Sequence, residues 1–464
     1  MPTNSEGLEL RRRRMAKSPP ILRGGFRPFF LGAAAWAISA LAAWLTVLFG
    51  FVSFDLLDNP LAWHRHEMLF GFVGAAIAGF VLTAVPNWTG RLPIAGGPLA
   101  ALFAVWLSGR LLPFVSPDNN PMLILVDGGF YLLLAFLLAR EIIQSRNRNL
   151  PVVAIVLLFG AAGILDRLEM AGSLDSSLGW RAGLSLVVLL IAIIGGRIIP
   201  SFTRNWLSSI GARERLSTQP RTLDKVIIAL TAAALLAWLS APFSLLSAVL
   251  LSSASVAHFL RLSKWHGWRC SANALVWVLH LAYLWLPVGL LLLAGAQVEI
   301  VPETAGIHAF STGAMATMIL AVMSRASLGH TGRALFASRE IVASYILITI
   351  AAVLRVQAAL SIGDGQAALA EHSASFFSDT DRSCVRRDPM RTRRQVRHDK
   401  PFSPENPRAC CRCSCDAFLS VVHRDASKIP GSRRADVSFT RSGARDLPGV
   451  RRDREHSAVC PFRF

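Results

Sequence analysis

Long apolar runs separated by short polar breaks dominate the chain as far as about residue 358. Most of them reach about 17–22 residues, the length a helix needs to cross a hydrocarbon core. Eleven such runs are predicted: Phe29–Gly50, His66–Pro86, Leu99–Val115, Pro121–Ala139, Pro151–Leu165, Ala182–Pro200, Val226–Ala241, Phe243–Leu260, Ala274–Gly295, Gly306–Met323 and Ile341–Ala358. Hydrocarbon offers the backbone no water, so each run must close its hydrogen bonds internally as a helix. The predicted fold is therefore all-α, a polytopic transmembrane helical bundle filling residues 29–358.

Composition agrees, with 53% hydrophobic residues among 464 and a mean hydropathy of +0.45. Charge then orients the bundle. Arg11 to Arg14 and Lys17 make residues 1–28 a basic segment. Alternate loops carry Arg91; Arg140, Arg146 and Arg148; Arg204, Arg213, Arg215 and Arg221; Arg261, Lys264 and Arg269; and Arg325, Arg333 and Arg339. The intervening loops carry Asp55, Asp58, Asp118, Asp166, Asp175, Glu299 and Glu303, with Arg65, Arg167 and Arg181 as basic exceptions. By the positive-inside rule the amino terminus is cytoplasmic. The net charge of +19 is thus mostly a topology signal, and its partner is the anionic bilayer surface rather than nucleic acid. The run from Phe29 is full length and contains Trp, and ten more follow, so it reads as a retained helix rather than a cleaved signal.

Residues 359–464 differ in character. All 12 Trp lie at or before Trp285, whereas the last 104 residues hold six of the seven Cys, 20 Lys+Arg, 13 Asp+Glu and no apolar run long enough to span a bilayer. Such a segment is predicted to be disordered. Three accounts compete for it: a metal tract at Cys410, Cys411, Cys413 and Cys415, which lacks the C-x₂-C spacing of a zinc site; a regulatory tail; and an out-of-frame end, the account favoured by its Arg-dense, non-periodic text.

Polar residues within the apolar runs are the functional candidates. Trp63-His64-Arg65-His66-Glu67-Met68 stands at the mouth of the second run, where ionisable groups are costly unless paired or coordinated. His64 and Glu67, three apart, share a face with Gly71, Gly74, Ala75 and Ala78, whose small side chains turn it toward neighbouring helices. His308 opens the tenth run on the same side. Imidazole binds copper and haem iron, so His64, His66 and His308 form a candidate outer metal layer; interfacial histidines bonded to their neighbours are the competing account. His280, one turn after Trp277, is explained equally by a carbonyl bond and by haem ligation. Arg110 and Asp127, at comparable depth on consecutive antiparallel helices, are read as a buried ion pair that fixes helix register, with a proton-relay role as the lesser alternative. Arg27, Arg197, Arg204 and Arg325 border four helices on the cytoplasmic side, where a guanidinium fork suits a carboxylate such as a haem propionate. There is no P-loop, no GxGxxG after a strand, no GxSxG and no CxxCH, and Cys270 in its basic loop reads as a bystander.

Six motifs, in this order, closely resemble the NnrS family: Gly25-Phe-Arg-Pro-Phe-Phe30, Trp63-His-Arg-His-Glu-Met-Leu-Phe-Gly-Phe72, Leu82-Thr-Ala-Val-Pro-Asn-Trp-Thr-Gly90, Gly196-Arg-Ile-Ile-Pro-Ser-Phe-Thr-Arg-Asn-Trp206, Leu279-His-Leu-Ala-Tyr-Leu-Trp-Leu-Pro287 and Ala321-Val-Met-Ser-Arg-Ala-Ser-Leu-Gly-His-Thr-Gly-Arg333. The resemblance implies a bacterial inner-membrane protein of about twelve helices, containing haem and copper, tied to denitrification and to protection against nitric oxide, which becomes a candidate ligand. Its motif positions make His64, His66, His280, His308 and His330 the metal and haem candidates. The chain departs from the family at Arg65, where a small residue is usual, and in the basic tail that stands in place of a final helix. A transporter or metal-delivery protein is the alternative class, although residues 29–200 and 226–358 show no convincing internal repeat of the kind transporters carry.

Overall fold

In a computed structural model of the protein, residues 16–51, 59–116, 120–174, 176–212 and 221–384 are described together with Glu9 and Arg13, with backbone alone for 221 and 362–384. Asp55, Asp58, Asp118, Asp175, Arg11, Arg12, Arg14, Arg213, Arg215 and the Cys410–Cys415 cluster lie outside these residues. The described chain is helical and contains no strand. Eleven helices are long and apolar enough to cross a membrane: α1 (Phe26–Leu48), α2 (Pro60–Thr89), α3 (Gly97–Leu111), α4 (Pro121–Gln144), α5 (Leu150–Met170), α6 (Leu178–Ser209), α7 (Arg221–Ser240), α8 (Leu245–Ser263), α9 (Ala274–Gln297), α10 (Glu303–His330) and α11 (Arg339–Cys384). The described residues as far as Ser373 belong to one compact body, and α11 continues beyond it to Cys384.

Capping residues set several helix starts. Asn59 accepts a hydrogen bond from the Ala62 amide at 3.0 Å, with Pro60 at the first helical position, so α2 begins six residues before the apolar run does. Asn120 with Pro121, and Ser244 bonded to the Ser247 amide at 3.2 Å, open α4 and α8 in the same way. α2 ends at Gly90, whose φ of +68° suits glycine at a helix terminus. α11 runs past residue 358 to Cys384, through the helix-favouring text Gln366-Ala-Ala-Leu-Ala-Glu371; its membrane-length portion is Arg339–Ser361.

Large apolar side chains such as Leu31, Ile38, Phe136, Leu246 and Leu347 point outward, as a lipid-facing surface requires. The core is built from Ala, Gly and aromatic residues that let helices approach closely. At Gly74 a Cβ would run into the Tyr131 hydroxyl, so any larger residue at that crossing of α2 and α4 must displace the ring.

Two helices carry π-helical segments, Glu67–Val73 in α2 and Ala309–Ala316 in α10. A π-turn frees backbone carbonyls, which hydrocarbon cannot satisfy. In α2 the cure is visible: the Tyr131 hydroxyl donates to the Phe70 carbonyl at 2.6 Å, and the Trp106 indole donates to the Gly71 carbonyl at 3.1 Å.

Candidate functional site

The end of the bundle where α1 begins is the near end; the other is the far end. Near the far end, α2, α3, α4 and α5 bury a charge network. Glu67 accepts from Trp36 at 2.9 Å, from Arg167 at 3.1 Å and from Arg110. Asp127 accepts from Arg110 and, at 2.7 Å, from Arg167. His66 lies between two carboxylates, with Nδ1 2.7 Å from Asp166 and Nε2 3.2 Å from Asp127. Arg65 closes the chain on Asp166 at 3.1 Å and stacks over Trp180. All of these residues except Arg65 are buried, and the three carboxylates are matched by Arg65, Arg110 and Arg167. Pairing of this kind offsets the cost of desolvating each charge.

The predicted Arg110–Asp127 pair is therefore present, inside a larger cluster. Asp166 and Arg167, assigned above to a loop, are instead buried in the last turns of α5. Arg181, also assigned to a loop, belongs to α6, where it pairs with Glu303 at 3.2 Å and lies between Trp180 and Trp238. Hydropathy missed these positions because a charged first or last turn of a helix resembles the loop beside it.

The network fixes the helical turn that presents His64. The His64 ring stacks on Trp44 at 4.9 Å, and its Nδ1 is buried without a hydrogen-bond partner. His308, on α10, is within electrostatic reach of His64, and both are within reach of Arg355 on α11. The Thr304 carbonyl, 2.6 Å away, accepts from the His308 Nδ1–H, which leaves the lone pair on Nε2. His64 and His308 are thus within electrostatic reach of one another across α2 and α10. The structure sends His66 into the charge network, where both ring nitrogens are committed to carboxylates. No group of three or more His, Cys, Asp or Glu suited to a metal occurs among the described residues.

At the near end the remaining candidates separate. His280 is buried between α6 and α9, with Nδ1 3.1 Å from the Val276 carbonyl and Nε2 3.2 Å from the Thr203 hydroxyl. Both nitrogens are occupied, the arrangement of a satisfied core histidine. Arg197 turns aside toward Asn149. Arg27 lies over the Phe26 ring, and Phe26 contacts His330 at 5.5 Å, so Arg27 and His330 share one rim. Arg325 covers Phe202 at 3.9 Å. Cys270 is buried in a short turn outside the spans, and burial pushes its thiol up, away from nucleophilic use.

Sequence reasoning passed over one cluster altogether. His258 on α8 is fully buried, with Nδ1 2.8 Å from the Tyr283 hydroxyl and Nε2 2.9 Å from the Thr231 hydroxyl. Arg261 donates to Tyr283 at 2.9 Å and pairs with Asp224 at 3.0 Å. The available signal was His258 and Arg261 three apart on one helix face, masked because Arg261 was read as a loop charge.

Between α1, α2, α6 and α10 lies a small, open apolar groove. Phe30 and Phe80 stand on its α1 and α2 walls, Ile191 and Ile194 on α6, and Met315, Met318 and Met323 line its α10 wall.

No curated protein and no solved structure matches the chain. The family model described as NnrS protein matches residues 20–378, most of the chain's length. With eleven membrane-length helices and a match of that extent, the chain belongs to the NnrS family.

Proposed function

We propose that the protein is a multi-pass membrane protein of the bacterial inner membrane that binds copper and haem and acts in nitric oxide resistance or denitrification. The observation that carries the reading is His64, whose ring keeps a buried nitrogen without a partner and lies within electrostatic reach of His308 on α10. One ring has an orphaned buried nitrogen, and the other has its Nδ1–H tied to a carbonyl so that Nε2 is presented as a ligand. Imidazole nitrogens suit copper. Two donors with no third ligating side chain suit cuprous ion, which accepts low coordination. The nearby Arg355 favours the same choice, because it repels a monovalent cation half as strongly as a divalent one. A resident haem and copper would supply binding and electron transfer to a diatomic such as nitric oxide.

The test is purification of the full chain, elemental analysis, and a reduced-minus-oxidised optical spectrum. Copper and a Soret band are expected. His64→Ala and His308→Ala are each expected to remove most of the copper while the protein still inserts, and the double variant to lose little more, as ligands of one site act as a unit. Full copper in both single variants would overturn the pair as a site. Absence of a Soret band after haem-replete expression would favour metal delivery or transport.

A further inference from the structure

We propose that the indole face of Trp44 forms part of the copper site, lying against a cuprous ion held by His64 and making the site selective for soft monovalent metal over divalent metal. The proposal rests on the copper-binding reading above and adds a contact and a selectivity to it.

Helix register delivers Trp44 to His64. α1 runs from the near end to the far end and α2 runs back, and Trp36 of α1 donates to Glu67 of α2 at 2.9 Å. Eight residues on from Trp36, about two helical turns toward the far end, Trp44 meets His64, which stands one turn before Glu67. Arg110 and Arg167 also hold Glu67, so the network that fixes α2 fixes the stack as well.

The two rings lie face to face, with centroids 4.9 Å apart and planes 20° apart. A metal binds imidazole through a nitrogen lone pair, which lies in the plane of the ring. With the planes nearly parallel, an ion on His64 lies to the face side of the indole rather than in line with its edge. That face carries the negative part of the ring quadrupole and attracts a cation within about 6 Å of the centroid, most strongly for tryptophan. Indole π-electrons are a soft donor, and soft donors select cuprous ion.

The state of His64 separates this arrangement from ordinary core packing. His66, His258 and His280 each have partners on both ring nitrogens. His64 keeps a buried Nδ1 without one, which costs stability unless a ligand occupies it, and a stacked indole offers it no hydrogen bond. Arg355, within electrostatic reach of His64, makes the local potential more positive, and the indole face offsets it.

The test uses full-length protein purified in detergent, stripped of metal by a chelator and titrated anaerobically with cuprous ion. Silver(I) serves as a redox-silent substitute and zinc(II) as the divalent control. Wild type is expected to bind cuprous ion and silver(I) and to show a near-ultraviolet difference band from a perturbed indole. Trp44→Leu is expected to weaken both by about tenfold, to abolish the band and to leave the weaker zinc(II) binding unchanged. Trp44→Phe, which keeps a weaker aromatic face, should fall between, and His64→Ala should abolish the band. If wild type binds no cuprous ion, the copper reading falls and this contact with it. If wild type binds it but Trp44→Leu keeps both affinity and band, the contact is refuted while the copper reading stands. An equal loss of silver(I) and zinc(II) in Trp44→Leu would show that Trp44 only orients His64, and would overturn the selectivity. Should Trp44→Leu fail to insert, wild type decides with Trp44→Phe: silver(I) binding without an indole band, or an unweakened phenylalanine variant with the band intact, refutes the contact.

Discussion

Arg167 shows what a single residue does in this protein. It is 1% exposed, and its guanidinium spans Glu67 and Asp127, so removing it leaves two buried carboxylates short of a partner. Arg167→Met is expected to destabilise the folded bundle by about 3–5 kcal/mol, read as a lowered thermal midpoint in detergent. Adding Asp127→Asn should recover part of that loss, since the residues share one network; strictly additive losses would contradict the coupling. Sequence alone flagged Glu67, Arg110 and Asp127 because they interrupt or border apolar runs. It mistook Asp166 and Arg167 for loop residues, since hydropathy cannot distinguish a charged helix end from the loop beyond it. His66 is the clearest case of chemistry that spacing leaves open: it is two residues from His64, yet carboxylates from α4 and α5 claim both its nitrogens.

At the scale of elements, the π-helical segment of α2 depends on helices that meet it. Tyr131 from α4 and Trp106 from α3 satisfy the carbonyls it frees. Tyr131→Phe is expected to cost about 0.5–1.5 kcal/mol, the range for one hydrogen bond, and to lower the thermal midpoint modestly. Gly74→Ala should cost more, because its new methyl group meets the Tyr131 hydroxyl and must displace it. A Gly74→Ala protein as stable as Tyr131→Phe would show that α2 and α4 separate at little cost. Periodicity cannot announce a π-turn, whereas the caps Asn59-Pro60 and Asn120-Pro121 that set two helix starts are written locally in the chain.

At the scale of the whole molecule, alternating loop charge predicts a reporter fused after Arg215 to lie in the cytoplasm and one fused after Asp175 to lie on the outer side. The same side for both would overturn the helix order. That eleven apolar segments form helices was determined by the sequence itself, because hydrocarbon imposes internal hydrogen bonding on any run of that length and composition. Family membership was likewise legible, carried by contiguous motifs. Which polar groups meet was decided only by tertiary structure. His64 comes within electrostatic reach of His308 across 244 positions of chain, carboxylates of α4 and α5 claim His66, and His258 joins Tyr283, Arg261 and Asp224. The physical reason is that the hydrophobic pattern fixes which residues enter the membrane, whereas helix rotation and crossing are fixed by glycine contacts, π-turns and ion pairs between segments distant in sequence.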